Sequence, residues 1–174
     1  MPLATFNNLP AAKKQIIINA LLNEFSQHPL SEAKVSRVIV DAGISRGAFY
    51  KYFVNLQDAY DYTYQETIKI VHAPLRFSIS AINQMTPEKY VNNLREFLVF
   101  ARETQYGQFI INYLFCTSLK DRPLPHYENE CESPISWAVR NMCHSAVYDI
   151  IIGKKSQEET LNQLFQILQI LMKK

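Results

Sequence analysis

Apolar residues recur along this chain at the three-to-four-residue spacing of one helix face, segment after segment. In the first segment Ile17, Ala20, Leu21 and Phe25 fall on one side, while Lys13, Lys14, Asn19 and Asn23 fall on the other. That pattern predicts a helix from Pro10 to about Gln27. His28-Pro29 ends it, because proline pushes the residue before it out of the α region. A short second helix is expected from Ser31 to Asp41, with Ser31 as its cap. It buries Val35, Val38, Ile39 and Ala42, and Gly43 stops it in the left-handed conformation. Ser45 is placed to cap a third helix running through Phe53. Asn55 and Asp58 form a capping box for a long fourth helix reaching His72, ahead of a break at Pro74.

Further on, Thr86-Pro87-Glu88 is a cap followed by an N1 proline, predicting a helix to Glu103 with Tyr90, Val91, Leu94, Phe97, Leu98 and Ala101 on its apolar stripe. Gly107 marks a start or kink before an aromatic helix over 108–119, and prolines at 123 and 125 make 121–132 the clearest loop. Ser133-Pro134 opens a helix to Ile152, which Gly153 closes. The last helix starts at a Ser156–Glu159 capping box and carries Leu161, Leu164, Phe165, Leu168, Leu171 and Met172. These final two helices are apolar on more than one side. Ile135, Ala138, Val139, Met142 and Ala146 make one face, with Trp137, Tyr148 and Ile151 elsewhere around the same helix, while Ile167 and Ile170 flank the last stripe. A spare apolar side in a small protein implies a subunit interface, expected at Ile135, Val139, Met142, Leu161, Leu164, Phe165 and Leu168.

The expected fold is therefore all-α, with about eight to nine helices. Composition agrees: 174 residues, 48% of them hydrophobic and only four glycines, suffice for a core without metal or disulfide staples. The net charge of +2 is unevenly spread. Residues 1–56 carry six Lys/Arg against three acids and the remainder twelve against thirteen, which suits a polyanion-binding head on a neutral body. Cys116, Cys131 and Cys143 have no CxxC spacing, and His28, His72 and His126 have no metal-ligand spacing, so no metal or cofactor is expected. Cys143-His144 does not make a nucleophile and base, since adjacent helical residues point about 100° apart. No basic leader precedes an apolar run and no window matches a membrane span, so a cytoplasmic protein is expected.

The segment from Val38 to Phe53 has the anatomy of a helix-turn-helix: short helix, glycine turn, second short helix. Gly47 and Ala48 remove bulk at the front of the second helix, so its backbone can approach base edges. Arg46 can reach a guanine edge or a phosphate. Tyr50, Lys51 and Tyr52 lie on the flank, where a phenol or an ammonium meets phosphate oxygens, while Phe49 and Phe53 point back into the core.

The run Ala42-Gly43-Ile44-Ser45-Arg46-Gly47-Ala48-Phe49-Tyr50-Lys51-Tyr52-Phe53 resembles the signature of the tetracycline-repressor (TetR) family, A-G-V-S-x-G-T-L/F-Y-x-Y-F. The likeness extends from Ile17 to Asn55. It implies DNA contacts by Ser36, Arg46, Gly47, Ala48, Tyr50 and Tyr52, to which Lys51 and Lys34 are added on charge. It also implies a helix-turn-helix domain over 1–54 and a regulatory and dimerisation domain over 55–174, whose last two helices pair with those of a second copy. On that pattern the chain is a homodimeric repressor of a palindromic double-stranded operator, released by a small apolar or aromatic ligand held near Phe97, Phe100, Phe109, Tyr113 and Trp137. Three departures stand out: Leu56 replaces a phosphate-contacting lysine, Ala33 and Lys34 replace threonines, and Ile39 replaces a small alanine. A helical enzyme would need convergent ionisable groups that the sequence does not offer. A protein-interaction module with a vestigial DNA head is the alternative reading.

Overall fold

Caps and prolines set where the helices begin. A computed structural model describes residues 2–72, 85–116 and 133–173. Among these residues there are nine helices and no strand: α1 (Ala4–Asn7), α2 (Ala11–Gln27), α3 (Val35–Ala42), α4 (Arg46–Tyr52), α5 (Leu56–His72), α6 (Pro87–Glu103), α7 (Gln105–Cys116), α8 (Pro134–Ile151) and α9 (Gln157–Leu171). Pro10 is the N-cap residue of α2 and Pro134 opens α8. Ser133 and Ser156 cap α8 and α9 by accepting the backbone N–H of Ser136 and Glu159. The expected capping box of α5 is present, with Asp58 N–H donating to Asn55 Oδ1 (2.8 Å) and Val54 N–H to Asp58 Oδ2 (3.1 Å). The expected break at Pro74, the end of the aromatic helix at 117–119 and the loop at 121–132 lie outside the described residues.

Three elements differ from the sequence expectation. α7 begins at Gln105 rather than at 108 and runs through Gly107. α1 was not expected at all. α3 starts four residues late, at Val35, and Ser31 caps nothing; the N-cap residue is Lys34, which offers no side-chain cap. A tertiary contact replaces it: the Glu24 carboxylate of α2 accepts the Lys34 N–H at 2.7 Å, and residues 29–33 close instead into a turn on the Pro29 carbonyl.

The chain forms two compact units. Met1–His72 and Ala101–Cys116 form the first, so α5 and α7 belong to the same unit as the helices before them. Its core is aromatic: Phe25 meets Tyr60 edge-on at 4.8 Å, Tyr60 meets Phe109 edge-on at 5.2 Å, and Tyr64 stacks on Tyr113 at 4.1 Å. Gly107 is required here by space, because a Cβ would fall 2.1 Å from the Ala101 backbone. The second unit holds most of α6 together with α8 and α9, around an aliphatic core of Val91, Leu94, Leu98, Val139, Ala146, Ile150, Leu161, Leu164 and Leu168.

That second core takes up most of the residues expected at the subunit interface. Val139, Leu161, Leu164 and Leu168 are buried inside the chain's own unit, with Met142 and Phe165 packed against them, because α6 supplies a third apolar helix that covers their stripe. The outward apolar residues are Ile135, Trp137, Tyr148, Ile167 and Ile170. Burial also pushes the Cys143 thiol up to about 12, so it stays protonated and is a poor nucleophile. Among the described residues, no three His, Cys, Asp or Glu come together to hold a metal ion, and no helix is long and apolar enough to cross a membrane.

Candidate nucleic-acid interface

The helix-turn-helix is set by α3, the Gly43 turn and α4. Gly43 has φ 61° and ψ 38°, the left-handed conformation that glycine adopts without Cβ strain. Two bonds close the turn, Ile44 N–H to Ile39 C=O (3.0 Å) and Gly43 N–H to Val40 C=O (3.2 Å), the paired pattern that ends a helix sharply. Ser45 then caps α4, its Oγ accepting the Ala48 N–H at 3.1 Å. Phe49 is fully buried, with its ring against Phe53 at 5.6 Å, and this anchors the inner side of α4.

The outer side of α4 is exposed and carries the expected chemistry. Arg46, Gly47, Tyr50 and Lys51 are all exposed, and Ala48 is half-buried beside them. Arg46 lies over the Tyr50 ring, Cζ 5.6 Å from its centroid, and its Nη2 donates to the Tyr50 hydroxyl at 3.4 Å. The phenol thus holds the guanidinium over a defined part of the surface. Ser36 and Lys34 are exposed at the front of α3. Tyr52 departs from the expectation: it is 6% exposed, with its ring edge-on to Phe6 at 6.0 Å. It lies on the same side of α4 as Phe49, three residues away, and α1 covers that side.

Gly47 is the most informative of these residues. A Cβ there would meet nothing closer than Ser45 Oγ at 4.0 Å, and its φ is not in the left-handed region. Nothing inside the chain calls for glycine, and glycine in a helix is destabilising relative to alanine by about 0.5–1 kcal/mol. A surface that must come close to another molecule's backbone or base edge supplies the missing reason.

The orientation of α3 depends on residues that the sequence reading passed over. Glu24 accepts Arg37 Nε at 2.7 Å and Arg37 Nη2 at 2.6 Å, in addition to the Lys34 N–H. Arg37 Nη2 also donates to the Glu32 carbonyl at 2.8 Å. Burial works to raise the Glu24 pKa, but the bonds from Arg37 and Lys34 outweigh it and hold the carboxyl below the usual carboxylate range. Asn23 Nδ2 donates to Asp41 Oδ2 at 2.7 Å at the other end of α3. The signal for Glu24 was present in the sequence: a carboxylate three residues after Leu21 and next to Phe25 sits on an apolar stripe, where it needs a cation.

The residues expected to line a ligand pocket do not share one unit. Phe109 and Tyr113 belong to the first unit and are buried, Phe109 edge-on to Tyr60 and Tyr113 stacked on Tyr64. Phe97 and Phe100 are half-buried in the second unit, and Trp137 is 58% exposed there.

Residues 17–58 match the family model described as bacterial regulatory proteins, tetR family. The fold is shared with solved structures. A TetR family transcriptional regulator from Chloroflexus aurantiacus J-10-FL is 18% identical with a TM-score of 0.59, over 99% of this chain and 95% of that one. A TetR transcriptional regulator from Rhodococcus sp. RHA1 is 14% identical with a TM-score of 0.56, over 92% and 94%. No curated protein matches the chain.

Proposed function

Starting from a chain whose N-terminal domain belongs to the TetR family of bacterial DNA-binding regulators, we propose that it acts as a homodimeric repressor that reads a palindromic operator with α4. Gly47 carries the reading: an exposed helical glycine with no internal need, flanked by Arg46, Tyr50 and Lys51 on one rigidly anchored face. Arg46 is the residue placed to read a base edge, and Lys51, Lys34, Ser36 and Tyr50 are the residues placed to meet phosphates. Two-fold symmetry would set two such helices about 34–36 Å apart, one turn of DNA.

The exposed apolar side chains of the second unit support the dimer. Trp137 and Tyr148 are eleven residues apart, three turns of α8, so they share a face opposite Val139 and Ile150. On α9, Ile167 and the 71%-exposed Ile170 add to the apolar surface left uncovered. Release from the operator is assigned to a small apolar or aromatic ligand entering among the half-buried rings Phe97 and Phe100.

Fluorescence anisotropy with a labelled duplex from the promoter beside its own gene tests DNA recognition. Binding is expected to weaken steeply with salt, with a log–log slope of about −5 if some six phosphates are neutralised per dimer, and to require both half-sites. Binding that ignores the palindrome would favour the interaction-module reading. Trp137 is the only tryptophan, so its emission reports the dimer: a mass of twice 20.2 kDa in light scattering and a red shift on dilution are expected. A monomer at micromolar protein would remove the dimer.

A further inference from the structure

α1 lies ahead of the segment that matches the family domain, and it is built onto the far end of the recognition helix. Leu3 N–H donates to the Tyr52 carbonyl at 2.8 Å. That carbonyl lies in the last turn of α4, where helix carbonyls have no partner of their own. Phe6 is 1% exposed and touches three rings: Tyr52 at 6.0 Å, Phe53 at 5.0 Å and, on α5, Tyr62 at 5.3 Å. Lys14 Nζ donates to the Asn7 carbonyl at 2.7 Å and ties the end of α1 to α2.

A seven-residue helix is too short to hold its own geometry, so tertiary contacts set its axis. At the front of α4 those contacts are the Gly43 turn and the Ser45 cap. At its back they are Leu3 and Phe6. Two anchored ends define a line, and Arg46, Gly47 and Tyr50 project from it.

We propose that Leu3 and Phe6 are positioning residues for DNA recognition: α1 clamps the C-terminal end of α4 and fixes the angle at which its exposed face meets the groove. This inference rests on the DNA-binding reading of α4. Phe6 is buried, and the Leu3 contribution to α4 is a backbone N–H. They act through Tyr52 and Phe53, and Phe6 links that end of α4 to α5.

Leu3→Pro is the sharpest variant. Leu3 has φ −70° and ψ 157°, which proline adopts without strain, so the substitution deletes the N–H and trims a partly exposed side chain while leaving the backbone path as it is. In the full-length protein, hydrogen exchange of peptides covering 46–53 is expected to quicken severalfold, with peptides covering α9 unchanged and helical circular dichroism retained. Affinity for the promoter duplex is expected to fall about fivefold, and for Phe6→Ala tenfold or more, while Phe6→Leu recovers most of that loss. The salt slope is expected to stay at the wild-type value, because no phosphate contact is removed. Unchanged exchange over 46–53 in Leu3→Pro would overturn the proposal whatever DNA does. Quickened exchange with wild-type affinity would also overturn it, by showing that the clamp does not serve recognition. If the wild-type protein itself shows no salt-sensitive binding, the reading of α4 falls, and the recognition role of the clamp falls with it. The exchange data would then decide only whether α1 holds α4. If Phe6→Ala fails to fold, Leu3→Pro decides alone.

Discussion

Each unit ties two of its helices together with a bidentate arginine–glutamate pair, and the two pairs have little else in common. In the first unit Glu24 is buried, receives Arg37 and the Lys34 N–H together, and joins α2 to α3. In the second, Arg95 of α6 meets Glu158 of α9 through Nη1–Oε1 at 2.5 Å and Nη2–Oε2 at 2.8 Å, with both side chains exposed. Water can replace either partner of the exposed pair at little cost, whereas a buried carboxylate that loses its cation has no substitute. The buried pair therefore fixes a geometry, the one that presents the helix-turn-helix. The exposed pair decorates a core that holds without it. The cores differ in the same sense: interlocking rings with directional contacts in the first unit, mostly aliphatic side chains around Tyr90 in the second.

Core truncations test that contrast most severely. Phe49→Ala in the first unit and Leu168→Ala in the second remove fully buried side chains and are expected to cost about 4 and about 3 kcal/mol in urea unfolding. A loss below about 1 kcal/mol at either position would mean that the core there relaxes into the hole. Glu24→Gln comes next, at about 2 kcal/mol near neutral pH, since the buried amide accepts from Arg37 and the Lys34 N–H without the charge that strengthens those bonds. The native Glu24 pKa lies below its unfolded value, so its contribution is fully present above the ordinary carboxylate pKa of about 4.3 and is lost as pH falls through the native pKa. Wild-type and Glu24→Gln stabilities should therefore begin to approach each other as pH falls below the ordinary carboxylate range, and converge only below the lowered native pKa. Glu158→Gln should leave the unfolding midpoint where it is. Parallel pH curves for wild type and Glu24→Gln would show that the buried pair is not what titrates.

Gly47→Ala separates folding from recognition. The added methyl meets open space and a better helix former, so stability is expected to rise by about 0.5–1 kcal/mol. Affinity for DNA is expected to fall about tenfold, roughly 1.4 kcal/mol. A variant that gains stability and binds DNA as before would take Gly47 out of the interface.

Which features could be read from the sequence follows from how local their causes are. The extents of α2, α5, α6 and α9 came from caps and periodicity, both written within a few residues. α3 was placed too early because its cap comes from Glu24, ten residues away in α2. α1 was missed because four residues carry no period; only the rings it meets, Tyr52, Phe53 and Tyr62, explain it. Tyr52 was expected at the surface for that same reason. For the residues expected at an interface on α8 and α9, an apolar stripe does not say which helix covers it. Here α6 covers Val139, Leu161, Leu164 and Leu168 within the chain, and Trp137 and Tyr148 are left outside.

The smallest expected effect gives the finest comparison. Ser45 and Ser156 perform the same task, each accepting the N–H three residues on, Ala48 at 3.1 Å and Glu159 at 3.2 Å. Replacing either with alanine should cost about 1 kcal/mol of stability. The surroundings differ, because the Ser156 hydroxyl also donates to Glu159 Oε2 at 2.8 Å, whereas Ala48 has no side-chain acceptor to offer Ser45. Ser45 supplies the side-chain cap of the first turn of α4, which is the turn that carries Arg46 and Gly47. Ser45→Ala should therefore weaken DNA binding severalfold at a stability loss that leaves the protein folded. Ser156→Ala, with the same loss, should bind as the wild type does. Equal affinities for the two variants would mean that the front of α4 is held by the Gly43 turn and the Phe49 anchor, and that the serine cap contributes only to stability.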